Sequence, residues 1–323
     1  MRRNRGYYRI SEREFFIIAA LFAFAFLLVC LLMTTNRLNE YLLTDENLGR
    51  KVRLKIDEEE LKKLNEENDS DSLAMDDCKE VLHRLTWNDY DGNAYSGNWK
   101  ICESAFIRSS KNRQTAYSYI PLIKFDKEFL IETMQMYDRI RKRENLNYRQ
   151  TAEMIVSSVQ SIPYTLIHPG AHSSAIKESA FMKQYHEAPE HLPLNKVGGC
   201  LANIDPIGVQ SPVEFLYNLK ADCDTRTVFL YTILSYFGYD VIVISGPTGP
   251  DTYHSMLGIN MPGASGLSFR NPANSIKYYI WESTAFYTKK WYPGNDTEIG
   301  SYSNFSFAFK PSAWKIDLQT QKL

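Results

Sequence analysis

The sequence predicts an α+β fold in which a buried helix packs on an antiparallel sheet, preceded by one transmembrane helix. A run of nineteen residues without a charge, Phe15–Met33, stands near the N-terminus. Much later, Thr225–Phe237 is apolar around most of a helical circumference, which is typical of a buried core helix. Short apolar runs follow that segment and have the length of buried strands. These three observations indicate the fold class.

The uncharged run has the length and the flanking charges of a membrane anchor. As a helix it extends about 28 Å, close to the thickness of the hydrocarbon core of a bilayer. Five arginines precede it, and only Arg37 is basic in the next dozen residues. The positive-inside rule therefore places residues 1–14 in the cytoplasm and the C-terminal domain outside, in the periplasm or at the cell surface. A cleaved signal peptide is the alternative, but the run at 15–33 is long for one.

The rest of the chain divides into three regions by composition. Residues 34–72 are rich in charge and polar residues, as expected for a stalk. Residues 73–122 carry dense aromatics around an Asp-Gly turn signal, and strands are expected at Trp99–Ile107 and Thr115–Ile120. This region is predicted to be a small β-rich accessory element, and residues 123–323 the main domain. Helices are expected there from Phe125 to about Glu144 and from about Arg149 to Ser161.

Charge and cysteine content limit the partners and the cofactors. A formal net charge of −1 gives no reason to expect nucleic acid. An exported domain permits one disulfide, and the three pairings among Cys78, Cys102 and Cys200 stay open. The long connection 166–199 contains four histidines, but it lacks cysteines at zinc-finger spacing and two prolines argue against one helix presenting the histidines. A lid or substrate-facing loop is expected there, and no metal or other cofactor.

Cys223 stands at the start of the predicted buried helix. Ser211, Pro212 and Glu214 form a helix-start signal, and the short helix that follows leads the chain to this cysteine. Asp222 is expected to cap the next helix and Gly238 to end it. A helix N-terminus favours a thiolate and offers unpaired N–H groups to an oxyanion. We therefore expect a nucleophile with a lowered pKa; a structural cysteine is the alternative.

Two strands after this helix carry a histidine and a glutamate. Strands are expected at 240–245, Tyr253–Asn260 and Lys277–Ser283, and alternation predicts another at 304–309. If the second and third pair as an antiparallel hairpin with Asn260 opposite Ile276, His254 falls opposite Glu282. Glu282 would then orient the imidazole, and the other ring nitrogen would face Cys223.

These motifs and their order resemble the transglutaminase-like superfamily of papain-like cysteine enzymes. The resemblance rests on Asp222-Cys223-Asp224, a helix ending in Gly238-Tyr239, a histidine that opens a later strand, and the run Trp281-Glu282-Ser283-Thr284. It covers roughly residues 148–286. The chain departs from the family pattern in having Ala221 where glycine is frequent, glutamate where aspartate is more frequent, and Ser255-Met256 where an aromatic often follows the histidine.

The resemblance implies a catalytic triad of Cys223, His254 and Glu282 and acyl transfer on amides through a thioester. The partner would be a peptide or protein substrate, and either water (amidase or peptidase) or an amine (transamidase) would release the thioester; the abundance of water outside the cell favours hydrolysis. Candidates for a second oxyanion donor or for substrate contact are Gln210, Tyr217, Asp224 and Tyr164. A transglutaminase-like module that binds peptides without chemistry is the alternative function.

Overall fold

The computed structural model describes residues 78–162, 164–167, 199–201, 203–248, 253–284, 298–301 and 311–320. The predicted anchor at 15–33, the stalk at 34–72 and the strand at 304–309 lie outside these residues, as do the four histidines of the 166–199 connection. Within the described ranges, none of the helices combines the length and the apolar character needed to cross a bilayer.

The helices of the described part lie mostly before the sheet strands in the chain. They are α1 (Glu103–Arg113), α2 (Tyr119–Asp126), α3 (Ile131–Arg143), α4 (Tyr148–Gln160), α5 (Pro212–Asn218) and α6 (Cys223–Tyr236), with 3-10 turns at Lys127–Leu130 and Pro311–Ala313.

The strands form a hairpin, a short parallel pair and a larger antiparallel sheet. The strands are β1 (Glu80–Asn88), β2 (Ala94–Cys102), β3 (Thr165–Ile167), β4 (Gly199–Leu201), β5 (Val241–Pro247), β6 (Tyr253–Ile259), β7 (Ser268–Arg270), β8 (Lys277–Trp281) and β9 (Lys315–Gln319). Strands β1 and β2 pair antiparallel, and β3 pairs with β4 in parallel. The five-stranded sheet has the order β7-β8-β6-β5-β9, with antiparallel neighbours throughout. The predicted mixed class and antiparallel sheet are confirmed.

Helix α6 packs against β5 and β6 and is buried along most of its length. Local signals set its ends as predicted: Asp222 accepts a hydrogen bond from the N–H of Thr225, and Gly238 follows the helix at φ 76°. A left-handed residue at this place is readily supplied by glycine. The same core contains hairpin aromatics such as Trp87 and Trp99 together with Phe229 of α6, so the hairpin and the buried helix share one hydrophobic core. The division at residue 122 stays a prediction.

Several predicted elements agree closely with the structure. Helix α5 begins with the expected capping box, in which Ser211 and Glu214 bond reciprocally and Pro212 occupies the first turn. Helix α4 and strands β5, β6 and β8 lie where periodicity placed them, within about two residues. These signals depend on residues that are neighbours in the chain.

Other predicted elements are wrong in the 99–144 region. Strand β2 ends at Cys102, and the rest of the strand expected at Trp99–Ile107 is the start of α1. The strand expected at Thr115–Ile120 is instead a turn and the start of α2, whose third residue is Pro121. A proline is tolerated in a first turn because its missing N–H has no partner there. The expected helix from Phe125 is divided by the 3-10 turn at Lys127–Leu130.

The disulfide left open by the sequence joins Cys78 to Cys102. It connects the residues at the open end of the hairpin, where Glu80 pairs with Cys102 and where α1 begins.

Candidate active site

Cys223 is the first residue of α6 and is 8% exposed. The Asp222 carboxylate accepts from the N–H of Thr225 at 3.2 Å, which fixes the first turn. The sulfur of Cys223 donates to Oδ1 of the partly buried Asp224 at 3.5 Å, and the backbone of Ser255 also contributes a hydrogen bond to it. Because Ser255 directly follows His254, the segment that carries the predicted base contacts the predicted nucleophile through its backbone.

His254 and Glu282 form a buried pair. Nε2 of His254 lies 2.8 Å from Oε2 of Glu282, and the two residues are 4% and 3% exposed. The other carboxylate oxygen of Glu282, Oε1, accepts from the backbone N–H of Thr284 at 2.9 Å and from its hydroxyl at 2.6 Å. The glutamate is therefore held through both oxygens, and the contact expected from the sequence is present.

The electrostatics of this pair favour its charged form. Burial lowers the pKa of His254, but the charge and the hydrogen bond of Glu282, with a smaller contribution from Asp224, raise it on balance. Burial raises the pKa of Glu282, but His254 and the bonds from Thr284 outweigh it and lower the pKa on balance. Each partner thus stabilises the charge of the other in a site that water does not screen.

The strand register behind this contact differs from the prediction. Leu257 pairs with Trp281 and Ile259 with Tyr279, so paired residue numbers sum to 538 rather than the 536 implied by Asn260 opposite Ile276. An error of two residues leaves each side chain on the same face of the sheet. Glu282 therefore reaches His254 as a diagonal neighbour, a separation that long side chains can bridge.

Two residues of α6 connect the start of this helix, at Cys223, to the segments that carry the histidine and the glutamate. The hydroxyl of Thr227, one turn after Cys223, lies 3.4 Å from the carbonyl oxygen of Ser255 and 3.0 Å from the hydroxyl of Ser283. The fully buried guanidinium of Arg226 donates to the carbonyls of Ala221, Ser283, Val159 and Ile162. The loop before Cys223 and the segment after β8 are thereby bonded to one side chain.

The expected lowering of the Cys223 pKa is wrong in direction. Burial is the main cause that raises the pKa of this thiol, and the carboxylates of Asp224 and Asp222 raise it further. The hydrogen bond from the Ser255 backbone opposes them but is weaker. A helix N-terminus contributes about half a unit charge, which does not compensate for desolvation beside two carboxylates. These surroundings therefore favour the neutral thiol of Cys223 over the thiolate.

The chain matches no protein-family model, and neither curated proteins nor solved structures give a match. The resemblance to transglutaminase-like enzymes therefore stays a prediction.

Gln210 is buried beside the loop that leads to Cys223. Its amide nitrogen donates to the carbonyl of Lys220, its Oε1 accepts from Asn218 at 2.8 Å, and its backbone N–H donates to the hydroxyl of Thr225 at 3.1 Å. These bonds join Gln210 to residues on both sides of Cys223 in the chain. Whether Gln210 also serves an oxyanion stays a prediction.

The two aromatic candidates, Tyr164 and Tyr217, lie in different surroundings. Tyr164 forms a parallel bridge with Ala221, and the guanidinium of Arg226 lies 5.6 Å from its ring centre, so it borders the nucleophile loop. Tyr217 instead stacks on Phe106 of α1 at 4.1 Å between ring centres, and its carbonyl oxygen lies 2.8 Å from Nε2 of His83. Those contacts join α5 to α1 and to the hairpin.

Tyr119, at the start of α2, is a site residue that the sequence did not indicate. Burial raises the pKa of its hydroxyl, the charges of Asp224, Asp317 and Cys223 raise it further, and the side chain of Ser255 opposes them. The hydroxyl thus lies close enough to Cys223 and Ser255 for both to act on its pKa. No sequence motif includes this tyrosine. The strand predicted at 115–120 also gave no reason to expect it near Cys223.

Metal ligation has no support in the part of the chain that the structure describes. No group of three His, Cys, Asp or Glu side chains comes close enough there to hold an ion. Asp89 is buried because it closes the hairpin turn: its carboxylate accepts from Asp91, Asn93 and Tyr95.

Proposed function

We propose that the protein is a membrane-anchored, extracytoplasmic cysteine enzyme with a papain-like, transglutaminase-like fold that acts on amide or peptide bonds. The observation that carries the proposal is the 2.8 Å contact between His254 and Glu282, on a strand whose next residue, Ser255, bonds through its backbone to Cys223 at the N-terminus of a buried helix. An oriented imidazole beside a thiol is the arrangement that nucleophilic catalysis by cysteine requires.

The first chemical step forms a bond between the Cys223 sulfur and the carbonyl carbon of the substrate. Since Nε2 of His254 is bonded to Glu282, Nδ1 is the nitrogen that accepts the thiol proton as the bond forms. The raised pKa of the thiol means that proton transfer and attack occur together, rather than from a preformed thiolate. The N–H of Cys223, at the helix end, stabilises the oxyanion.

The second step breaks the bond between the carbon and the leaving amine. The amine takes the proton from His254, and a thioester on Cys223 remains. Water or a second amine then attacks the thioester, with His254 again accepting the proton, and the thiol is regenerated. Glu282 stabilises the imidazolium in both halves of the reaction.

Intact-mass measurement of the full-length protein tests this proposal. We expect a covalent acyl adduct when it is incubated with a panel of peptides and cell-wall peptides, and release of the amine product. Adding hydroxylamine should capture the thioester and separate transfer from hydrolysis. Cys223→Ala should abolish the adduct, whereas Cys200→Ala, the matched control, should retain it. An adduct that persists in Cys223→Ala would refute the proposal.

The raised pKa of Cys223 also favours a second candidate, a module that binds peptides without chemistry. Such a module needs the cleft but not the thiol, so Cys223→Ala would leave peptide binding unchanged and no peptide of the panel would be cleaved or transferred. Binding isotherms measured with both proteins, together with the mass measurement, distinguish the two candidates.

A further inference from the structure

Glu282 is the first residue after strand β8, which ends at Trp281. The pairing between β6 and β8 ends at Leu257 and Trp281, so the ladder of the sheet does not hold the backbone of Glu282. Its carbonyl oxygen nevertheless has a buried partner, because Nε2 of Gln160 donates to it at 2.7 Å. Gln160 is the last residue of α4 and is fully buried.

Gln160 belongs to a chain of hydrogen bonds that returns to the same strand end. Oε1 of Gln160 accepts from the hydroxyl of Tyr90 at 2.8 Å, and this hydroxyl accepts from Nε1 of Trp281 at 3.0 Å. An indole N–H can only donate. Trp281 is therefore the donor to the tyrosine oxygen. At the other end the carbonyl of Glu282 can only accept, so the amide nitrogen of Gln160 faces it, and the amide oxygen of Gln160 accepts the proton of Tyr90. The indole N–H and the carbonyl together set the direction of the bonds between them.

Tyr90 is itself firmly placed. It lies in the hairpin turn that Asp89 closes, and the neighbouring Trp87 donates from its indole nitrogen to the carbonyl of Met154 at 2.9 Å. The hairpin is therefore attached to α4, the helix that ends in Gln160. Burial raises the pKa of Tyr90 well above its ordinary value, so its hydroxyl keeps the proton that Gln160 accepts.

We propose that Tyr90 and Gln160 are positioning residues that hold Glu282 at the distance and orientation needed to bond His254. This inference rests on the proposed function for its catalytic meaning. A buried carbonyl that loses its donor keeps the cost of its desolvation without a bond to offset it, so the backbone at Glu282 would move to find another partner. The carboxylate would move with it, and the hydrogen bond to His254 would lengthen. The hairpin is thus part of the catalytic framework rather than an appendage.

Titration of the His254 imidazole by NMR in the full-length protein tests the inference, with the resonance assigned from its loss in His254→Ala. Glu282 raises the pKa of His254, so Tyr90→Phe and Gln160→Met should each lower that pKa by at least about half a pH unit. The iodoacetamide labelling profile of Cys223 should change over the same pH range. A purely structural defect would not move the histidine titration.

Tyr137→Phe is the matched control. Its hydroxyl is buried in the same core and lies 2.7 Å from the hydroxyl of Ser158, also on α4. Tyr137→Phe removes one hydroxyl oxygen, as Tyr90→Phe does, and should leave the His254 titration unchanged. If Tyr90→Phe and Gln160→Met, which alter different elements, give the wild-type titration while Glu282→Gln shifts it, the inference is overturned and the triad stands. If the intact-mass measurement finds no acyl adduct, the proposed function is refuted, and the titration still tests whether Tyr90 and Gln160 position Glu282.

Discussion

Glu282 bonds His254 at 2.8 Å from a position two residues away from direct cross-strand pairing. Extending the pairing of Leu257 with Trp281 along both strands puts residue 284, not 282, opposite His254. Thr284 instead donates twice to the carboxylate of Glu282. In this diagonal arrangement Thr284, two residues further along the same segment, orients the carboxylate of Glu282.

Replacing Glu282 with glutamine should destabilise the protein most at mildly acidic pH. His254 has a raised pKa in the folded state, so its contribution is complete below its ordinary value of 6.5 and is lost as pH rises through the raised value. Glu282 has a lowered pKa, so its contribution is present above 4.5 and is lost as pH falls through the lowered value. We expect a loss of about 1–3 kcal/mol, largest between these limits, in urea unfolding measured across pH. Glu103→Gln, at a surface ion pair with Lys79, should show no such window; a loss for Glu282→Gln that is equal at all pH values would contradict the pairing.

Replacing Asp224 with asparagine should make Cys223 more reactive at a fixed pH. Asp224 is, after burial, the largest cause of the raised thiol pKa, and its removal should move the iodoacetamide labelling profile of Cys223 to lower pH. Peptide mass spectrometry measures this at the single cysteine. Asp138→Asn makes the same change of charge at a surface ion pair on α3 and should leave the profile in place. Identical profiles for wild type and Asp224→Asn would show that this carboxylate does not act on the thiol.

Truncating Leu234 should test the burial of α6. The side chain is fully buried among the residues of the main core, so Leu234→Ala should cost roughly 2–5 kcal/mol through lost burial and the cavity left behind. Chemical denaturation provides the measurement. Leu82→Ala, at a side chain that is 60% exposed, is the control and should change stability little. Equal stability of the two variants would mean that α6 is not a core helix.

Asp126 should give stability a pH dependence of the opposite sign to that of Glu282. Burial raises its pKa from 3.8 to about 6, although bonds from Ser211, Val213 and Ser109 partly offset this effect. The folded state then binds more protons than the unfolded state between these values, so stability falls as pH rises from about 4 to about 6, by on the order of 3 kcal/mol. Asp126→Asn should flatten this slope in urea unfolding, and the exposed-site control Glu132→Gln should keep it. If the free energy of unfolding of Asp126→Asn still falls over this pH range, another group causes the pH dependence.

The topology prediction is tested by reporters fused at the C-terminus of the full chain. The arginines before Phe15–Met33 predict that this end is outside the cytoplasm. A reporter that is active only outside should work, and one that is active only in the cytoplasm should not. The reverse result would overturn the proposed orientation.

Prediction from the sequence succeeded where the contacts that determine an element join residues close together in the sequence. The capping box of Ser211 and Glu214 and the stop at Gly238 require only residues within one helical turn. It failed at 115–120, where alternating aromatics resembled a strand although the segment enters helix α2. There the partly buried Tyr119 packs with the buried Ala116, Leu122 and Val209, and Val209 is distant in the sequence.

The sequence by itself determined the ends of α5 and α6, the positions of α4, β5, β6 and β8, and the three side chains proposed for catalysis, because helix caps and apolar periodicity are local properties. Only the tertiary structure decided the strand register, the pairing of Cys78 with Cys102, and the bonds from Gln160 and Tyr90 that reach Glu282. It also decided the direction of the Cys223 pKa. The physical reason is that desolvation and cross-strand pairing depend on which distant segments surround a residue, and one stretch of sequence does not contain that information.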